Sequence, residues 1–203
     1  MRKLLLIIML LCGAVLQMSG QEMRTIFMEA PDSIFPLVSK SYRADLVDYV
    51  DAGMKAKVTN NLDGVSTLEE LAPDFMKFAV TASSTMQLKI LPLENDSVIC
   101  VVKSVMAEAV DSRIYFYDME WNLLEGAEMF HLPSIGDFFA SAANEYVEMC
   151  DIYLVSLTLS AADNTLVAEY TMPAYMNVGD AEKVKPILRK IIYRWNGERF
   201  VID

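Results

Sequence analysis

Residues 75–90 read FMKFAVTASSTMQLKI. Met76, Phe78, Val80 and Ala82 alternate with Lys77 and Thr81; past Ser83-Ser84, Met86, Leu88 and Ile90 alternate with Gln87 and Lys89. A period of two on both sides of a small polar turn specifies an antiparallel hairpin with one buried face, because successive strand side chains point to opposite sides. Two further strands are expected over 98–106 and 113–119, the latter followed by Trp121. Strands resume at 152–159 and 165–171, and a charged connector over 179–185 leads to the last pair, 188–195 and 198–202. Asn196-Gly197 between that pair is the strongest short hairpin signal in the chain.

Helical signals are fewer. Over residues 41–52, Tyr42, Leu46, Tyr49 and Val50 share one face at helical spacing, Asp45, Asp48 and Asp51 lie opposite, and Gly53 is placed to end the helix. Thr67 and Glu70 have capping-box spacing for one helical turn before Pro73. Ser134 with Asp137 has the same spacing and predicts a helix over 134–143, with Ile135, Phe138, Phe139 and Ala142 as its buried stripe. The fold class is therefore α+β, with antiparallel sheets, few helices and those helices on one sheet face. The order reads as a tandem α-β4 duplication with pseudo-repeats at about 38–125 and 130–203. Residues 21–203 make one compact α+β unit on this reading and on its alternative, a single irregular α+β domain.

The N-terminus has the three parts of a secretory signal. Arg2 and Lys3 precede the short apolar run LLLIIMLL (residues 4–11), and Ser19-Gly20 supplies a small-residue exit, so residues 1–20 are expected to be removed. Cys12 lacks the small preceding residue of a lipidation signal, since Leu11 stands there; a lipid anchor is not expected. The mature chain carries no further apolar run long enough to span a membrane.

The 203 residues are 54% hydrophobic and 22% charged, with a net charge of −11. Export removes two cations and no acid, so the mature chain is more negative still. Such a chain lacks the basic face that nucleic acid requires. Cys100, inside the apolar run VICVV (residues 98–102), reads as a buried thiol; pairing with Cys150 is the alternative in an oxidising compartment.

The residues offer little for catalysis. There is one histidine, His131, and no GxSxG elbow surrounds any serine. Zinc would need more His and Cys than the chain holds. Asp45, Asp48 and Asp51 spread along a helix face, and the Asn60–Gly64 loop lacks the alternating acids of a calcium loop. The glycines are scattered at turns, so no phosphate loop forms. No cofactor, metal site or catalytic residue is assigned. Aromatics remain. Tyr115 and Tyr117 project from one face of their strand, and Tyr193 and Trp195 from one face of theirs. Either the two halves pack sheet against sheet, or part of this aromatic surface stays open as a partner site with an acidic rim. Such a site would suit a protein, a peptide or a neutral glycan.

Residues 27–54 (FMEAPDSIFPLVSKSYRADLVDYVDAGM), then VTNNLDG (58–64) and IYFYDMEWNLL (114–124), resemble an uncharacterised secreted family of Bacteroidales, a domain of unknown function. The resemblance implies a Gram-negative envelope location and carries no catalytic residues. Asp32-Ser33-Ile34 and Asp96-Ser97-Val98 are similar to the O-glycosylation motif of those bacteria. The α-β4 tandem is similar in outline to secreted beta-lactamase-inhibitor proteins, an analogy of fold alone. The leading expectation is a secreted or periplasmic, non-enzymatic binding protein. A carboxylate-only glycan hydrolase and a structural accessory subunit of an envelope complex are the alternatives.

Overall fold

The computed structural model describes residues 22–140 and 144–203. The expected signal peptide, and Ala142 of the expected second helix, lie outside the described residues.

Helix α1 (Glu22–Glu29) and helix α2 (Lys40–Asp51) come first. Ser39 caps α2 by accepting the Tyr42 N–H. Gly53, at a φ of +66°, closes it as the Met54 N–H returns to the Tyr49 carbonyl, the glycine ending the sequence predicts. Arg43 is buried, and its guanidinium donates to the carbonyls of Ala30 and Val38 and to Asp32. It thereby fixes the proline-punctuated segment that joins the two helices.

Six strands follow as an antiparallel meander: β1 (Lys57–Thr59), β2 (Val65–Leu71), β3 (Phe75–Thr81), β4 (Ser84–Pro92), β5 (Ser97–Met106) and β6 (Val110–Tyr117). A smaller meander is built from β7 (Val155–Leu159), β8 (Thr165–Tyr170), β9 (Ile191–Trp195) and β10 (Phe200–Ile202), in the order β10-β9-β8-β7. Helix α3 (Asn144–Val147) and helix α4 (Val178–Val184) are single-turn and two-turn insertions. The fold is α+β, with two antiparallel sheets and few helices. Among the described residues no helix is long and apolar enough to cross a membrane.

The large sheet is covered on both faces. Met76, Phe78, Met86, Leu88, Ile99 and Val101 pack under Met23, Phe27, Leu46 and Val47 of the helices. The opposite face, with Phe75, Leu91, Val98, Cys100, Val102 and Phe116, packs on Leu157, Leu166, Ala168, Tyr193 and Trp195 of the small sheet. Alternation along each strand thus feeds two separate cores. Lys89 points into the second core and is ion-paired with Asp74 at 2.9 Å. Cys100 and Cys150 are both buried there as free thiols, and burial pushes the Cys100 thiol well up.

The eight strands expected from the pattern are β3 to β10, with trimmed ends; β1 and β2 extend the first meander. Three local expectations are corrected. Thr67 and Glu70 lie in β2, opposite Lys57 and Lys77, because burying Ser66 and Leu68 on one face outweighs the capping-box spacing. At Ser134 the capping box is real, but it caps one 3₁₀ turn, Ile135–Phe138. Phe138 and Phe139 are both buried, and Phe139 bridges Leu188 as extended backbone, which ends the helical turn at that residue. The charged stretch 179–185, expected as a connector, is mostly α4, capped by Asn177.

Candidate functional site

A groove of about 450 Å³ lies along the outer edge of β10, walled by Glu128–Pro133 and Asp137 on one side and Phe200–Ile202 on the other. Strand order explains its position. β10 is the edge strand of the small sheet, and the Asn196–Arg199 turn folds it onto β9. In the ladder the Asp203 N–H bonds the Ile192 carbonyl and the Asn196 N–H bonds the Arg199 carbonyl. By antiparallel alternation the N–H groups of Phe200 and Ile202 therefore point away from β9. That of Phe200 reaches the Met129 carbonyl at 2.8 Å. The loop serves as a neighbouring strand for that one bond and then diverges. Ile202, 65% exposed, is left at the groove with its N–H facing outward.

The loop is held by phenols. The Tyr153 hydroxyl donates to the Pro133 carbonyl at 2.7 Å, and the Tyr193 hydroxyl lies 3.4 Å from the His131 carbonyl. Burial, with Asp137 nearby, pushes Tyr193 up to about 12; burial, Tyr193, Asp111 and Asp137 push Tyr153 to about 12 as well. Asp137 accepts both the Ser134 hydroxyl and the Ser134 N–H at 2.8 Å, which hold its carboxyl below the usual range. The Arg189 Nε donates to the Asp137 carbonyl. The groove therefore offers an ionised carboxylate, a histidine, Arg199 and a free strand edge. Among the described residues no group of three His, Cys, Asp or Glu side chains is placed to hold a metal ion.

The four aromatics singled out in the sequence do not come together. Tyr193 (3% exposed) and Trp195 (6%) lie in the core between the sheets, where Trp195 stacks on Phe116 and donates its indole N–H to the Pro92 carbonyl. Tyr117 (8%) and the half-buried Tyr115 lie on the helix-side face of the large sheet. The sheets pack against each other, so Tyr193 and Trp195 are buried between them, while on the helix side Tyr117 is buried and Tyr115 half-buried; of the four, Tyr193 alone contributes to the groove wall. Sequence reasoning missed the groove itself. Its one visible signal was the terminal Asn-Gly hairpin, which leaves the last strand at a sheet edge.

The sequence model of the family described as "Protein of unknown function (DUF3256)" matches residues 15–200. The chain belongs to this family. It is also similar to the solved structure of a domain of an uncharacterized protein from Porphyromonas gingivalis W83, a member of the Bacteroidales. The identity is 28% and the TM-score 0.78, over 90% of this chain and 99% of that one. No curated protein is similar to the chain. The DUF3256 assignment assigns no chemistry to the groove.

Proposed function

We propose that this DUF3256 protein is an exported, non-enzymatic binding protein that takes an extended peptide along the outer edge of β10. The observation that carries the reading is the outward N–H of Ile202 beside a groove whose far wall is already fixed by tyrosine hydroxyls. An extended chain that adds to a sheet edge gains main-chain hydrogen bonds, and its alternate side chains enter the groove. The net charge of −11 favours a basic or neutral peptide over an acidic one. Asp137 is held ionised by Ser134, which suits contact with a basic side chain better than proton donation. Export rests on the order of Arg2-Lys3, the apolar run and Ser19-Gly20.

Calorimetric titration with an alternating Lys-Val octapeptide, acetylated and amidated, tests the reading. Ile202→Pro removes the outward N–H, and proline is tolerated on an edge strand where that N–H faces solvent. The variant should keep its melting temperature and lose about tenfold in affinity. Equal binding by wild type and variant, or no binding by wild type, would overturn it. Protein for the titration is isolated from the exported fraction, and its mass shows whether it begins at Gln21.

A further inference from the structure

The helix-side face of the large sheet is not covered to its end. Along β5, Val101 is buried, Lys103 is half-buried and Val105 is 61% exposed, so the helical layer stops at Lys103. There the register sets Lys103 directly opposite Arg113. Like charges facing each other across a strand pair repel, and this cost persists unless something anionic sits between them. Among the described residues neither cation is within ion-pair distance of a carboxylate, although the chain carries 28 acids against 17 bases. The nearest acid in the register, Asp111, is two pairs further on, opposite Val105, and accepts the Val155 N–H. On the other side Tyr115 is the diagonal neighbour of Lys103, whose ammonium lies 5.6 Å from the centre of its ring. Tyr117 follows Tyr115 on the same face and packs on Trp121 at 5.5 Å. Trp121 is half-buried and holds a φ of +67°, a left-handed conformation costly for a bulky residue. The Asp118 carboxylate fixes that turn by accepting the N–H groups of Glu120 and Asn122.

We propose that this surface, distinct from the β10 groove, binds a saccharide bearing a carboxylate or sulfate. Lys103 and Arg113 take the anionic group, and Tyr115 packs on the apolar face of a sugar ring. Arginine presents a planar fork that matches a carboxylate or sulfate, and lysine adds a point charge beside it. A peptide is the poorer fit. β6 is the edge strand of the large sheet, but Lys103, Arg113 and Tyr115 stand on the sheet face, where the surface offers side chains rather than main-chain hydrogen bonds. Its charge also sets it apart from the groove, which favours a basic partner.

Titration of the full exported protein with hexagalacturonate, a sulfated hexasaccharide, neutral maltohexaose and hexaglutamate tests this. The two anionic sugars should bind, more weakly as salt is added, while maltohexaose should not. Lys103→Met and Arg113→Thr should each weaken binding about tenfold without lowering the melting temperature, since each relieves the cross-strand repulsion. Tyr115→Ala should also weaken binding, with circular dichroism as the check on folding. No binding of either anionic sugar, equal binding of maltohexaose, equal binding of hexaglutamate, or affinity unchanged in both charge variants would each overturn the proposal. None of these results bears on the Ile202→Pro experiment.

Discussion

Tyr153, Tyr170 and Tyr193 each place a hydroxyl against a backbone carbonyl: those of Pro133, Ile152 and His131, respectively. A buried phenol holds such a carbonyl only while protonated, so these bonds link the groove wall to pH. Tyr153 and Tyr193 are raised to about 12 in the folded chain, against 10.0 for a free phenol. Between pH 10 and 12 the unfolded chain releases protons that the folded chain keeps. Their contribution is therefore complete below pH 10 and is lost as pH rises towards 12. An ultraviolet phenolate titration should show at least two of the nine tyrosines still neutral at pH 11 before the fold opens, with stability falling across that interval. Nine tyrosines ionising together near pH 10 in the folded protein would contradict this assignment. Side-chain type was legible in the sequence here, but the carbonyl each hydroxyl meets was not. Tyr153 and Pro133 are brought together only by the docking of the small sheet.

At the scale of elements, β7 shows how an edge strand can be closed without another strand. Its outward N–H groups at Val155, Leu157 and Leu159 donate to Asp111 Oδ1, Ser112 Oγ and Gln87 Oε1 of the large sheet. Gln87 and Ser112 are buried, where apolar residues would be expected, because they replace the missing ladder partners. Gln87→Leu keeps the size and adds apolar surface, yet leaves the buried Leu159 N–H without an acceptor. It should cost about 1–3 kcal/mol in urea unfolding with an unchanged denaturant slope. A neutral or stabilising result would show that this edge is not closed by Gln87. Period-two alternation is clearest along β7, β8 and β9, where one face of each strand is buried. It could not show that Gln87, on the polar side of its hairpin, faces a second sheet. Likewise the Ser134-Asp137 spacing announced a real cap, while the length of what it caps was decided by the Phe139 bridge to Leu188.

For the whole molecule, the large sheet has each face occupied, one by helices and one by the small sheet. This arrangement takes Tyr117, Tyr193 and Trp195 into two cores and leaves Tyr115 half-buried. What remains for recognition is the rim: the unfilled outer edge of β10 and the face of β5 and β6 beyond the helices. An acidic chain exposing a free strand edge beside a pre-fixed loop is suited to a basic extended partner. The direct measurement is a set of ¹H–¹⁵N correlation spectra of the labelled protein, recorded as the Lys-Val octapeptide is added to saturation. The Ile202 amide should shift and become protected from solvent exchange, together with the amides of Met129, Phe130 and His131. An Ile202 amide unmoved at saturation, or shifts confined to the helices or to the Lys103 face, would contradict the account.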